Sequence, residues 1–232
     1  VKQDLLRYKQ QAAEEAVKFI ESRMVVGLGH GSTAVFALRR IAQLLKAGSL
    51  QGILGVACSQ RVEEEARQAG ILLTTLDDHP VIDITIDGAD EVDQNLDLIK
   101  GAGGALLREK IVAQASRREI IVIDESKMSP VLGTRRALPV EVIPFGWGTQ
   151  AVYLQSLGAR VDIRQANDGA IFTTDQGNFL LDCTFGPIAH PAALAGRLSE
   201  RAGIVEHGLF LGHATDVIVA GSRGVRHLKR HT

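Results

Sequence analysis

Short continuous apolar runs alternate with amphipathic stretches along most of the chain. The run MVVGLG (24–29) ends in glycines, and over 32–46 the apolar residues Val35, Leu38, Ile41, Ala42 and Leu45 recur on one helical face. This pattern predicts a strand feeding a helix. It continues as ILGVAC (53–58), a helix over 60–69, ILLTTL (71–76), VIDITID (81–87), a helix over 105–115 and EIIVID (119–124). Strands that are apolar throughout and separated by helices imply a parallel sheet covered on both faces. Ahead of them, residues 1–22 read as a charge-rich amphipathic helix.

From about Val131 the pattern changes. LPVEVIPF carries two prolines, a helix follows over 149–157, then RVDIRQ, and IFTTDQGNFLLDC centres on Gln-Gly-Asn, which reads as a hairpin turn. A helix over 191–201 and the strand IVEHGLFL complete a β-α-β-β-α-β order, the ferredoxin-like pattern. ATDVIVAG (214–221) is again apolar and is expected to return to the first sheet, while the basic tail HLKRHT reads as a solvated end. The predicted class is α/β: a Rossmann-like parallel sheet flanked by helices at 1–131 plus 211–232, and a smaller ferredoxin-like α+β domain at 132–210.

Charge narrows the choice of ligand. Lys and Arg number 26 against 27 Asp and Glu, and only 4% of the 232 residues are aromatic, so neither a polyanion-binding surface nor a base-stacking platform is expected. Nucleic acid and membrane are thereby excluded as expected partners, and no apolar run reaches the roughly 18 residues of a membrane span. The two cysteines, Cys58 and Cys183, have no CxxC spacing, which suggests a reducing cytoplasm, and the histidines form no HExxH motif.

Four stretches could carry chemistry. GLGHGSTA (27–34) joins the first strand to its helix, where N–H groups and the macrodipole favour an anion and the Ser32 and Thr33 hydroxyls add donors. Gly29, Gly31 and Ala34 also fit a dinucleotide fingerprint. That motif wants an acidic residue ending the second strand, and Cys58 and Ser59 stand there instead, so a small phosphorylated ligand is favoured over NAD or ATP. DGADEVD places Asp87, Asp90 and Glu91 beyond the third parallel strand, where ligands of open sheets bind. Sequence physics leaves polar ligand groups, a Mg²⁺ site and an acidic capping turn on equal terms there. KGAGGALLREK (100–110) carries Lys100, then small residues leading into a helix that holds Glu109, and taken alone such a glutamate is a solvated face residue. In DESKMSP, Lys127 follows a strand, so Lys9, Lys100 and Lys127 could supply local positive charge.

GLGHGSTA, DGADEVD, KGAGGALLREK, the SK at 126–127 and LPVEVIPF, in this order, resemble ribose-5-phosphate isomerase of the A type over essentially the whole chain. The resemblance implies interconversion of D-ribose 5-phosphate and D-ribulose 5-phosphate in the pentose phosphate pathway, without metal or organic cofactor, by a homodimer or homotetramer. It makes Glu109 the general base, Asp87 and Asp90 handlers of sugar oxygens, and Lys100 a partner at the reacting end. Lys9, Gly29, His30, Gly31, Ser32, Thr33 and Lys127 would hold substrate, chiefly its phosphate, and Gly101, Gly103 and Gly104 would line it. Moving a proton between C2 and C1 through an enediol needs one base that takes and returns it, and donors for the enediolate, for which Lys100 and the N–H groups near Gly103 and Gly104 are candidates. Partial burial should raise Glu109 above the ordinary value of about 4.3. Ring opening suits a second carboxylate, Asp87. Two positions depart from the family pattern: His30 stands where threonine is usual, and Ala102 interrupts the glycine run. A non-catalytic sugar-phosphate sensor would keep GLGHGSTA but lose the base, and an amino-sugar phosphate deaminase would want a His beside an Asp near DGADE.

Overall fold

The structure, a computed structural model, describes residues 2–230. The chain runs through α1 (Lys2–Val17), β1 (Val25–Leu28), α2 (Ala34–Lys46), β2 (Leu54–Ala57), α3 (Gln60–Gln68) and β3 (Ile84–Asp87). Two short strands follow, β4 (Glu91–Val92) and β5 (Leu98–Ile99), then α4 (Leu106–Gln114), β6 (Glu119–Asp124) and a single 3-10 turn at Glu125–Lys127. Next come β7 (Leu138–Val142), α5 (Trp147–Ser156), β8 (Arg160–Ile163), β9 (Phe179–Thr184), α6 (Pro191–Ser199) and β10 (Ile204–His207). Three more strands finish the chain, β11 (Leu209–Phe210), β12 (Asp216–Gly221) and β13 (Gly224–Lys229). Two compact units result. One takes the residues up to Ala89, Arg108–Lys127 and those from Gly212 onward; the other takes Asp90–Leu107 and Met128–Leu211. The division differs from the expected one in giving residues 90–107 to the second unit.

In the first unit a six-stranded sheet runs β13-β12-β6-β3-β1-β2, parallel except for β13. All six residues of β6 and of β12 are buried, which is why both read as unbroken apolar runs. The helix α1 presents Ala12, Ala13, Ala16 and Val17 to this core and packs on β6, β12 and α2; its small side chains permit the close approach. The order of strands reverses at β1, with β2 on one side and β3 on the other. The crevice outside the carboxyl ends of two such strands is the topological switch point where open sheets bind ligands.

A buried ionic cluster ties the far edge of this sheet. Asp216 accepts from Arg118 Nε and Nη2, both at 2.9 Å, from Thr215 Oγ1 at 2.7 Å, and pairs with His227 Nε2 at 2.6 Å. Burial alone would push its carboxyl up, but these hydrogen bonds and the Arg118 charge hold it well below the usual carboxylate range.

In the second unit a four-stranded antiparallel sheet has the order β10-β7-β9-β8, which is the ferredoxin-like arrangement for the observed β-α-β-β-α-β sequence. Its core joins Leu138, Val140 and Val142 of β7 to Leu154 of α5, Leu181 and Cys183 of β9 and Leu198 of α6. Burial pushes the Cys183 thiol up, so it behaves as an inert apolar residue.

Several expectations are corrected. ILLTTL is not a strand: one bridge, Gly55 to Leu73, links it to β2, because it lies at the open edge of the sheet with Leu72 facing solvent. The Gln-Gly-Asn turn closes through Thr174 and Asn178, yet its first arm makes only isolated bridges, and β9 pairs instead with β7 and β8. IVEHGLFL divides at Gly208 into β10 and β11, which belong to different sheets. The tail is largely exposed but ordered, since β13 pairs with β12 as far as Lys229; its last two residues lie outside the described residues.

Candidate functional site

In the first unit the segments that leave β1, β3 and β6 lie along one edge of the parallel sheet, because these strands are neighbours in register. After β1 come Gly29, His30, Gly31, Ser32 and Thr33. Asp87, the last residue of β3 and 1% exposed, directs Oδ1 at this loop and accepts the N–H of His30 at 3.0 Å and that of Gly88 at 2.7 Å. A Cβ at Gly29 would collide with Asp87, so only glycine allows the loop to lie against that carboxylate. Thr33 stands at the N-cap of α2 without a side-chain cap bond, and the Val35 and Phe36 N–H groups are taken by Gly31 O and Thr33 O, both at 3.1 Å.

Three cations of unequal prominence in the sequence stand by this loop. Lys9 of α1 donates to Ser32 Oγ at 2.9 Å, as expected for a residue that would share an anion with that hydroxyl. The loop also opens on a groove lined by Phe36, Arg39 and Arg61, and neither arginine was among the expected site residues. Arg39 lies over the Phe36 ring and Arg61 pairs with Glu65 at 3.1 Å. The available signal was the place of Arg39 in the helix that follows the glycine loop and of Arg61 in the first turn of the helix that follows the second strand.

His30 does not hang in solvent. Its Nδ1 lies 2.9 Å from Ser59 Oγ, and Ser59 caps α3 by accepting the Val62 N–H at 3.1 Å. The Ser59 hydroxyl can either donate to Nδ1, with the ring hydrogen on Nε2, or accept from Nδ1–H.

Glu109 is the fourth residue of α4 and is 5% exposed, so it is not a solvated face residue. Its neighbour Lys110, 4% exposed, was not singled out by spacing or motif. A carboxylate in a first helical turn is favoured by the macrodipole. Lys127 ends the 3-10 turn after β6 and is half-buried; beside it Asp124, 1% exposed, accepts the backbone N–H and hydroxyl of Ser126.

The second unit holds the remaining expected residues. Asp90 Oδ2 accepts the Ala102 N–H at 2.8 Å, while the Asp90 N–H donates to Ile99 O at 2.9 Å. Lys100 is 2% exposed, held through its N–H to Gly208 O at 2.9 Å, with Nζ 5.5 Å from the centre of the Phe210 ring. The loop that follows turns tightly: Gly104 donates to Gly101 O at 3.0 Å. That bond narrows the expectation for enediolate donors to Gly103, whose N–H meets no acceptor among the described residues. Gly104 has φ +85°, and a Cβ there would lie 2.5 Å from Phe172 Cζ, so no other residue fits.

Glu91, the third carboxylate of the acidic stretch, has a different task. Fully buried, it accepts the N–H groups of Gly133, Arg135 and Arg136 at 3.1, 3.2 and 3.1 Å and so fixes the chain before β7. No group of three or more His, Cys, Asp or Glu side chains placed to hold a metal ion occurs among the described residues. No helix among them is long and apolar enough to cross a membrane.

Comparison with known proteins bears on what these parts do together. The family model of ribose 5-phosphate isomerase A (phosphoriboisomerase A) matches residues 54–224. A ribose-5-phosphate isomerase A of Chloroflexus aurantiacus is 57% identical over 220 residues, covering 95% of this chain and 92% of that one. The solved structure of ribose 5-phosphate isomerase from Plasmodium falciparum superposes with a TM-score of 0.95 at 40% identity, over 98% of this chain and 100% of that one. A D-ribose-5-phosphate isomerase solved in complex with phospho-erythronic acid has a TM-score of 0.95 at 37% identity, over 97% of this chain and 99% of its own.

Proposed function

Since the chain belongs to the ribose 5-phosphate isomerase A family, we infer that Glu109 is the base that moves the proton in its interconversion of D-ribose 5-phosphate and D-ribulose 5-phosphate. The single observation that supports this role is a glutamate 5% exposed in the first turn of α4, within a motif shared in order with the family. A glutamate there with no chemical task would be expected to face water.

The chemistry runs as follows. The sugar phosphate enters with its phosphate on the N–H groups and hydroxyls of residues 29–33, assisted by Lys9 and Lys127. Asp87 takes part in ring opening, accepting the anomeric hydroxyl proton while the ring oxygen gains one. Glu109 then removes the proton from C2 of the open aldose, the electron pair moves into the C1–C2 bond, and the carbonyl oxygen at C1 becomes the enediolate oxygen. Lys100 and the Gly103 N–H stabilise that oxygen. Return of the proton from Glu109 to C1, with the proton of the C2 hydroxyl passing to the C1 oxygen, gives the ketose. Asp90 handles the C2 and C3 hydroxyls. Four-carbon phosphorylated aldonates are predicted to inhibit competitively, as phospho-erythronic acid is the ligand in a relative's complex.

His30 is assigned to the phosphate as well, through Nε2–H in the tautomer whose Nδ1 accepts from Ser59. Protonation would add charge beside the phosphate, so KM should fall as pH drops from about 7.5 to about 6. The enzyme is further assigned to the cytoplasm and to a homodimer or homotetramer, on the family resemblance and on two cysteines that are both buried. The sensor reading is not favoured, as the relatives carry the isomerase name.

Turnover of ribose 5-phosphate in EDTA, run in D₂O with mass analysis of the ribulose 5-phosphate, tests the reaction. Metal-independent turnover with solvent deuterium at C1 is expected. Binding without turnover would return the chain to the sensor class.

A further inference from the structure

The loop after Lys100 is held by a residue that no motif indicates. Arg164 follows β8 at the rim of the ferredoxin-like sheet, with its N–H bonded to Leu180 O at 2.9 Å. Its guanidinium makes two kinds of contact at once. Nε and Nη2 grip both oxygens of Asp182 on β9, at 2.9 and 2.5 Å, in a fork that only arginine forms. Nη1 donates to Gly101 O at 2.8 Å and Ala102 O at 3.1 Å. The Arg164 side chain is 14% exposed.

The planarity of the peptide group turns these contacts into an aiming device. Gly101 C=O and Ala102 N–H belong to one trans peptide and point in opposite directions. Arg164 holds the oxygen and Asp90 Oδ2 receives the hydrogen, so this peptide is gripped at both ends. The next peptide carries Ala102 C=O and Gly103 N–H. With its oxygen on Arg164, the Gly103 N–H must point away from the guanidinium. The same loop oxygen that Arg164 holds also closes the turn to Gly104. Every peptide plane from Gly101 to Gly104 is therefore set, directly or through one neighbour, by Arg164.

We propose that Arg164, held by Asp182, is a positioning residue for the isomerisation: it orients the Gly103 N–H and, through the Ala102 peptide, the Asp90 carboxylate. The proposal rests on the isomerase reading above. It explains how a loop interrupted by Ala102 where glycine is usual keeps one conformation: two side chains fix it from opposite sides. A donor aimed at developing charge contributes to the transition state more than to substrate binding. Loss of Arg164 should thus appear in kcat and leave KM nearly unchanged.

The decisive variant is Arg164→Lys. One ammonium keeps the charge beside Asp182 but cannot span a carboxylate and two carbonyls together. Expected are a melting temperature close to wild type, kcat lowered by about 10- to 100-fold, and KM within about threefold, the scale of a misplacement near 1 Å. Asp182→Asn, which leaves the guanidinium present but unanchored, should show the same split with a smaller loss, and it carries the test if Arg164→Lys fails to fold. Either folded variant with kcat within about twofold of wild type overturns the proposal, as does a kcat loss that only tracks the folded fraction. Wild-type protein that binds ribose 5-phosphate without turning it over removes the isomerase reading first, and the proposal with it.

Discussion

The two glycine-rich loops are built on different principles. The loop at 29–33 is shaped by what precedes and follows it, a strand and a helix, and needs one distant carboxylate, Asp87, to seat the His30 N–H. The loop at 101–104 is bracketed by side chains from two directions, with Asp90 on one N–H and Arg164 on two carbonyls. A phosphate seat can be made from backbone and a macrodipole, because a dianion is recognised by charge and many donors. An enediolate oxygen develops at one point, so a donor to it must be aimed.

Carboxylates seat the backbone in both units, and the largest expected effect tests that idea. Glu91→Ala would strip three N–H groups of their acceptor in a fully buried place, and should lower unfolding free energy by about 3–5 kcal/mol in urea titration. A loss under about 1 kcal/mol would mean that water replaces the carboxylate, and the comparison would lose its basis.

Acid should then separate the two units. In the first, Asp216 has a folded-state value depressed below its ordinary one; its contribution is full above about pH 4 and is lost as pH falls toward the depressed value. In the second, burial raises Glu141 despite its hydrogen bonds from Asn178 and Thr174. The folded state then binds the proton more tightly, so Glu141 weakens stability as pH climbs above its ordinary value and restores it on acidification. Hydrogen exchange between pH 3 and 5 should show β12 and β6 losing protection with acid more steeply than β7 and β9. Asp216→Asn should cost about 2–3 kcal/mol at neutral pH and flatten the first response. Equal acid sensitivity in both sheets would contradict the assignment.

The smallest effect concerns the phosphate loop alone. His30→Thr should change KM by a few-fold and abolish its variation between about pH 6 and 7.5, with kcat unaltered. An unchanged KM profile would remove His30 from the phosphate, and kcat loss would move it toward the reacting carbons.

Legibility in the sequence follows the range of the interactions. EIIVID and DVIVAG announced a two-sided parallel sheet because each is buried at every position. GLGHGSTA and DGAD could be singled out because each lies within a few residues of a strand end. ILLTTL misled because an apolar run at an open sheet edge looks like one that is paired. The two-residue strands β4, β5 and β11 are too short for any period to register. Glu91 read as a third member of an acidic cluster because composition does not tell which segment a carboxylate will clasp, here one more than 40 residues onward. Arg164 was invisible outright, since its partners stand 62 and 63 residues earlier in the chain.

The most direct test of the account is the single substitution Glu109→Gln, assayed with saturating ribose 5-phosphate in D₂O. The side chain keeps its shape in the buried first turn of α4 but can no longer take a proton. The account predicts a folded protein that still binds the sugar phosphate, with kcat down by about 10²- to 10⁴-fold and deuterium entry at C1 of the product falling in step. Retention of kcat within a few-fold, with label still entering C1, would place the base elsewhere.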